Sequence, residues 1–95
     1  MTETLLLIGS LSNDLLRVAN CRANGSHKAA SRFALEAKRW AKPLNDKKTA
    51  KYIKNIAQKV VNAKSDKISM QMAEDYLMYS ILLQNYALHL LKRSS

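Results

Sequence analysis

Apolar residues recur along this chain with the period of an α-helix, and the repeat is interrupted at only three places. The interruptions are Asn24-Gly25, Pro43 and Ser65-Asp66. Asn-Gly favours a turn, proline cannot continue helical hydrogen bonding, and Ser and Asp favour helix starts. The 95 residues include only two glycines and one proline, too few for a turn-rich β protein or a disordered linker. The sequence therefore predicts four helices.

The predicted helices cover about 2–22, 27–42, 46–64 and 67–92, with connections of only a few residues. Connections this short favour antiparallel neighbours. The predicted fold is all-α, an antiparallel up-down-up-down four-helix bundle in which residues 1–95 form a single domain. A three-helix domain with a separate N-terminal strand is the alternative. The expected N-caps are Thr2, Ser26, Asn45 or Asp46, and Ser65 or Asp66.

Helical wheels assign an apolar face to each segment. In the first helix, Asp14 falls on the polar half. In the second, Phe33 and Trp40 share the apolar stripe with small alanines, so we expect both aromatic side chains to be substantially buried. The inner face of the third helix is predicted to contain Ala50, Ile53, Ile56, Ala57, Val60 and Val61.

The segment from Leu5 to Ser12 has a second interpretation. It looks like a strand that enters a phosphate-binding loop, as in flavin-binding α/β proteins, but it holds one glycine and no later segment offers parallel strands. The longest apolar run, Leu5 to Ile8, is far shorter than the roughly 20 residues of a membrane span. A secretory signal would have a basic start, whereas the only charge before this run is Glu3. One cysteine, Cys21, allows no internal disulfide, so a cytoplasmic location is expected.

Positive charge is concentrated in the middle of the chain. Residues 22–67 have thirteen Lys and Arg against three Asp and Glu, a net charge of +10. Residues 1–21 have a net charge of −1, and residues 68–95 have a net charge of zero. Basic stripes on the second and third helices suggest sequence-nonspecific binding of nucleic acid or another polyanion, although a solvated face is an equally ordinary explanation. The candidate polyanion-binding residues are Lys28, Arg32, Arg39, Lys47, Lys51, Lys54 and Lys59.

The fourth helix has an apolar surface that covers well over half of its wheel. One neighbouring face in a monomeric bundle would normally cover less, so part of this surface is expected to pack on another chain. The alternative explanation is a central helix that contacts both of its neighbours in a small bundle. Tyrosine is enriched in interface cores. The candidate self-association residues are Tyr79, Leu82 and Tyr86, which lie between the apolar arc and the polar strip.

Other candidate sites are weak. The turn formed by Gly25, Ser26, His27 and Lys28 offers a possible anion site at a helix N-terminus, although an ordinary capped turn explains the same residues. His27 and His89 have no acid or cysteine at metal-ligand spacing, and Cys21 has no visible base. We therefore expect no enzyme activity, no metal and no cofactor.

These patterns predict a small helical adaptor or regulator that binds another protein. The expected association is a homodimer through the first and fourth helices, which carry almost no net charge. The alternative function is polyanion binding through the basic second and third helices. The sequence does not identify the partner.

Overall fold

The computed structural model describes residues 2–94, with side chains described for residues 3–93. It contains four helices, α1 (Thr2–Ala23), α2 (His27–Leu44), α3 (Lys51–Asn62) and α4 (Met70–Ser94). Residues 2–94 contain no strand, so the all-α four-helix fold is confirmed. The alternatives with an N-terminal strand or a phosphate-binding loop are wrong.

Contacts between helices show that neighbours run antiparallel around the bundle. α1 lies between α2 and α4, and α3 packs on α2. The ring is closed by a contact between α3 and α4. The defining side-chain contacts are Asp14–Trp40 between α1 and α2, Ser12–Ser80 between α1 and α4, Lys38–Ala63 at the end of α3, and Tyr52–Tyr86 between α3 and α4.

The core is built mainly from branched side chains of α1 and α3, from alanines of α2, and from tyrosine and leucine side chains of α4. The fully or almost fully buried residues of α2 are Ala30, Ala34, Ala37, Ala41 and Leu44. Phe33 and Trp40 are partly buried and pack against the edge of this core, which agrees with the expected substantial burial of both side chains. Alanines let the backbone of α2 approach its neighbours closely, and that approach leaves room for large rings only at the margin.

The end of α2 differs from the prediction that Pro43 stops the helix. α2 continues to Leu44, with Pro43 inside its last turn. The carbonyls of Lys42 and Pro43 accept hydrogen bonds from the N–H groups of Asn45 and Asp46, at 3.2 and 3.1 Å. The donors of these bonds are Asn45 and Asp46, so neither bond needs the N–H that proline lacks. The fully buried side chain of Leu44 is thereby kept in the core.

The starts of the helices also differ from the predicted caps. The predicted cap Thr2 is the first residue of α1, and its side chain lies outside the described side chains. Ser26 stands at the N-cap of α2 without a side-chain cap hydrogen bond. α3 begins at Lys51 after Ala50, so neither Asn45 nor Asp46 caps it, because both lie in the turn that follows α2.

α4 begins later than predicted because a different serine caps it. The Oγ of Ser69 accepts a hydrogen bond from the N–H of Met72 at 3.1 Å. Ser65 is buried, and the carbonyl of Asp66 accepts a hydrogen bond from Ser31 at 3.2 Å. The hydrogen bond to Asp66 therefore holds the α3–α4 turn against α2, and neither residue caps α4.

The alanine core of α2 can be tested by enlarging one side chain. Ala37→Leu should lower the free energy of unfolding by about 1–3 kcal/mol, because a fully packed position cannot accept extra methyl groups without strain. Ala23→Leu, at an exposed position on α1, is the control and should change stability little. Urea unfolding followed by circular dichroism measures both. Equal stabilities of the two variants would contradict the close approach of α2.

Candidate interaction surfaces

Most of the large apolar side chains that the described residues leave exposed lie on α4. One side of α4 packs on α1 through Ser80, and another side packs towards α3 through Tyr79 and Tyr86. The remaining face is open to solvent. It exposes large apolar side chains, each 37–55% accessible, namely Met70, Leu77, Met78, Ile81, Leu82, Leu88 and Leu91.

Five of these side chains lie on one line, which we call the outer stripe: Met70, Leu77, Ile81, Leu88 and Leu91. With Glu74 and Gln84 they occupy positions that alternate by four and three residues. This is the spacing of a coiled-coil seam, in which one helix packs against another along its length. At 1.5 Å per residue the stripe extends about 32 Å. The fold therefore presents a face suited to a second helix.

The three predicted self-association residues differ in how far their side chains are exposed. Tyr79 is 9% accessible, with the Lys59 ammonium 5.9 Å from the centre of its ring. The half-buried Tyr86 accepts a hydrogen bond from the Ala50 N–H at 3.1 Å. Only Leu82 is an exposed surface residue. The two tyrosines therefore bind α3 to α4 within one chain, which corrects their expected place on the surface.

The helical pattern of α4 did not predict the outer stripe as an interface, because the predicted interface was centred on the tyrosines of α4. The signal that would have found it is the alternation by four and three residues, which Glu74 and Gln84 interrupt on a simple apolar wheel. A wheel shows that α4 is apolar around most of its circumference. It does not show which part α1 and α3 cover.

The predicted polyanion-binding residues divide between two surfaces. Lys28, Arg32 and Arg39 are exposed along the outer face of α2, with Leu35 and Lys42 on the same line. On α3, Lys51 and Lys59 are exposed and Lys54 is half-buried. Lys47 lies in the turn before α3, so its predicted place on the third helix is wrong.

Several of these cations already have partners within the chain. The Lys47 ammonium lies 3.1 Å from a carboxylate oxygen of Glu3. The Arg39 guanidinium lies 3.0 Å from Glu36 and 5.7 Å from the centre of the Trp40 ring. Exposed ion pairs of this kind contribute little to stability, and salt screens them.

The turn between α1 and α2 is built mainly by backbone hydrogen bonds. Gly25 has a φ of +79°, a conformation that glycine adopts without strain, and it closes α1. The N–H of Ser26 donates to the carbonyl of Cys21 at 2.8 Å, so this amide is not available to an anion. His27 and Lys28 are exposed. An anion site at these residues stays a prediction.

A groove of about 380 Å³ lies between α1 and α2, above the buried Asp14. The Asp14 carboxylate accepts a hydrogen bond from the Trp40 indole N–H at 2.9 Å and one from Arg17 at 3.3 Å. The guanidinium of Arg17 in turn lies 5.4 Å from the centre of the Phe33 ring. The groove is lined by Ser10, Asn13, Asp14, Arg17, Arg32, Phe33, Glu36 and Trp40.

Two buried groups in the bundle have shifted pKa values. Burial raises the pKa of Asp14 above its usual value, although the hydrogen bond from Trp40 and the charge of Arg17 oppose the shift. Burial beside Tyr79 raises the pKa of Tyr76 to about 12. Asp14 has both oxygens engaged, so its role in this arrangement is to join α1 to α2. Among the described residues, no three His, Cys, Asp or Glu side chains come together as metal ligands.

Comparisons with known proteins found no match to a protein family, a curated protein or a solved structure. In the part of the chain that the structure describes, no helix is long and apolar enough to cross a membrane. The interpretation of the surfaces therefore rests on their own chemistry.

The raised pKa of Asp14 predicts a pH-dependent contribution to stability. The folded state holds this proton more tightly than the unfolded state, so the free energy of unfolding should fall as the pH rises from about 3.8 through the folded-state pKa. Asp14→Asn should lack this fall, so wild type should lose stability relative to the variant between about pH 3 and pH 7. Urea unfolding across this range measures the difference. Asp46→Asn, in the turn after α2, is the control, and parallel profiles for wild type and Asp14→Asn would contradict the prediction.

Proposed function

We propose that this chain is a small, non-enzymatic helical interaction module that self-associates as a homodimer through α4, with α1 beside it. The observation that carries the proposal is the outer stripe, a row of exposed apolar side chains at coiled-coil spacing. Single exposed leucines are ordinary on protein surfaces, whereas a contiguous apolar face marks an interaction site.

The energetics of burial favour pairing of this face. Covering a fully exposed Leu, Ile or Met side chain contributes about 1.5–3 kcal/mol. The five residues of the outer stripe are each about half exposed, and a helix laid along them would remove much of that area from water. The contact is a single helix pair with a flanking contribution from α1, where Leu16 is 39% accessible. A modest interface of this size is typical of reversible association.

The distribution of charge favours a second copy of the chain as the partner. Residues 68–95 have no net charge, whereas residues 22–67 have a net charge of +10. Two copies that meet through α4 bring neutral surfaces together and keep the basic helices apart. Two copies that meet through α2 would place like charges against each other. The outer stripe is therefore the face on which self-association meets the least repulsion.

Replacement of Ile81 tests this proposal. Ile81→Glu should convert a dimer to a monomer, because a carboxylate in an apolar contact loses water without gaining a partner. Leu35→Glu makes the same change at an exposed leucine of α2 and should leave the dimer intact. Sedimentation equilibrium from about 1 µM to about 1 mM measures the mass, a range that covers weak reversible dimers. A wild-type chain that stays at 10.7 kDa throughout would end the proposal.

A row of basic residues on α2 favours a second candidate function, polyanion binding. Lys28, Arg32, Arg39 and Lys42 follow one another along the outer face of α2 and span about 21 Å. A row of cations of this length fits several successive phosphates of a nucleic-acid backbone. The face lies away from α4, so this binding is compatible with the homodimer.

Charge reversal on α2 tests the second candidate. Lys28→Glu combined with Lys42→Glu should shift elution from heparin to markedly lower salt, because fewer counterions are released on binding. Lys51→Glu combined with Lys54→Glu makes the same charge change on α3 and should shift elution less. Equal shifts for the two double variants would show a response to net charge alone. The α2 row would then not be a site.

A further inference from the structure

The outer stripe also specifies how two copies would align. We infer that, given the proposed homodimer, the α4 helices pair antiparallel about an axis at the level of Tyr79. In this register Glu74 meets Gln84 of the partner subunit. The observation is the position of the two polar residues that interrupt the stripe, both exposed and both on its line. Polar residues inside a coiled-coil seam are known to fix orientation and register.

A parallel pair would place identical residues opposite each other. The two Glu74 carboxylates would then share one layer of the seam, where repulsion and loss of water oppose their approach. An antiparallel pair removes this conflict. It brings residues from the first half of one α4 against residues from the second half of the other.

Among antiparallel registers with more than two overlapping layers, one matches polar with polar and apolar with apolar in every layer. Its layers are Met70 with Leu88, Glu74 with Gln84, and Leu77 with Ile81, each repeated by the twofold axis. The Gln84 amide can donate to the Glu74 carboxylate, a charge-assisted hydrogen bond. Leu91 lies beyond the last layer. A shift by one heptad in either direction places Glu74 against an apolar residue, Leu91 or Leu77.

An exposed apolar residue beside the outer stripe is also consistent with this register. Met78, which is exposed, flanks the stripe near the level of Tyr79. An antiparallel twofold axis at this level brings Met78 close to the same residue of the second copy. The centre of the interface is then apolar, and the two polar layers lie on either side of it.

A charge swap tests the register. Gln84→Glu should weaken the dimer about tenfold in Kd, because the new carboxylate faces Glu74 of the partner subunit in two layers. Adding Glu74→Lys should restore the wild-type Kd or improve on it, because both layers then pair opposite charges. A parallel dimer predicts no rescue, since the double variant would place Lys opposite Lys in one layer and Glu opposite Glu in another.

The control is Gln58→Glu, which makes the same substitution at an exposed position of α3 and should leave Kd unchanged. Sedimentation equilibrium gives Kd for each variant, and circular dichroism checks that each one folds. Weakening by Gln84→Glu followed by rescue supports the register. Failure of rescue in a chain that still dimerises overturns the register and leaves the homodimer standing. A monomeric wild type overturns both.

Discussion

The packing of α1 between α2 and α4 is the constraint on which the rest of the bundle depends. Two polar side chains set its position among apolar neighbours. The buried Ser12 hydroxyl donates to the Ser80 carbonyl at 2.8 Å, and the buried Asp14 carboxylate accepts from the Trp40 indole at 2.9 Å. A buried polar group without a partner costs about 1–3 kcal/mol, so a slip of either neighbour along α1 would be penalised. Apolar contacts alone would tolerate such a slip more readily.

α4 packs on α1 on one side and towards α3 on another, which leaves its outer face open. α3 has 12 residues and extends about 18 Å, whereas α4 has 25 residues and extends about 37 Å. α3 therefore covers only part of α4. Because α2 and α4 flank α1, their outer faces point away from each other in the ring of helices. The basic row on α2 and the outer stripe on α4 are thus separate surfaces, and one can be occupied without blocking the other.

Helical periodicity predicted the number and order of the helices because each apolar face is a local property of the sequence, and the short connections predicted their antiparallel direction. The helix starts were harder to predict, because several residues compete to cap each one. Ser69, which caps α4, stands three residues after the expected Asp66. Burial of Asp14 could not be predicted from its own helix, because its hydrogen-bond partner Trp40 is 26 residues away. A helical wheel also does not show which part of the apolar surface of α4 packs in the core.

The choice of inner face on α4 follows from hydrogen-bond chemistry. α3 begins at a position without a side-chain cap, and the Ala50 N–H at that position finds its acceptor in the Tyr86 hydroxyl. Leucine and isoleucine have no atom that could accept this bond, so the tyrosine side of α4 gains more by facing α3. The aliphatic side satisfies no backbone group within the chain. It can gain only by burial, and in the proposed homodimer α4 of a second copy would supply that burial. Because they face α3, the tyrosines predicted for the interface leave the outer stripe exposed, and the stripe is then free to form that interface.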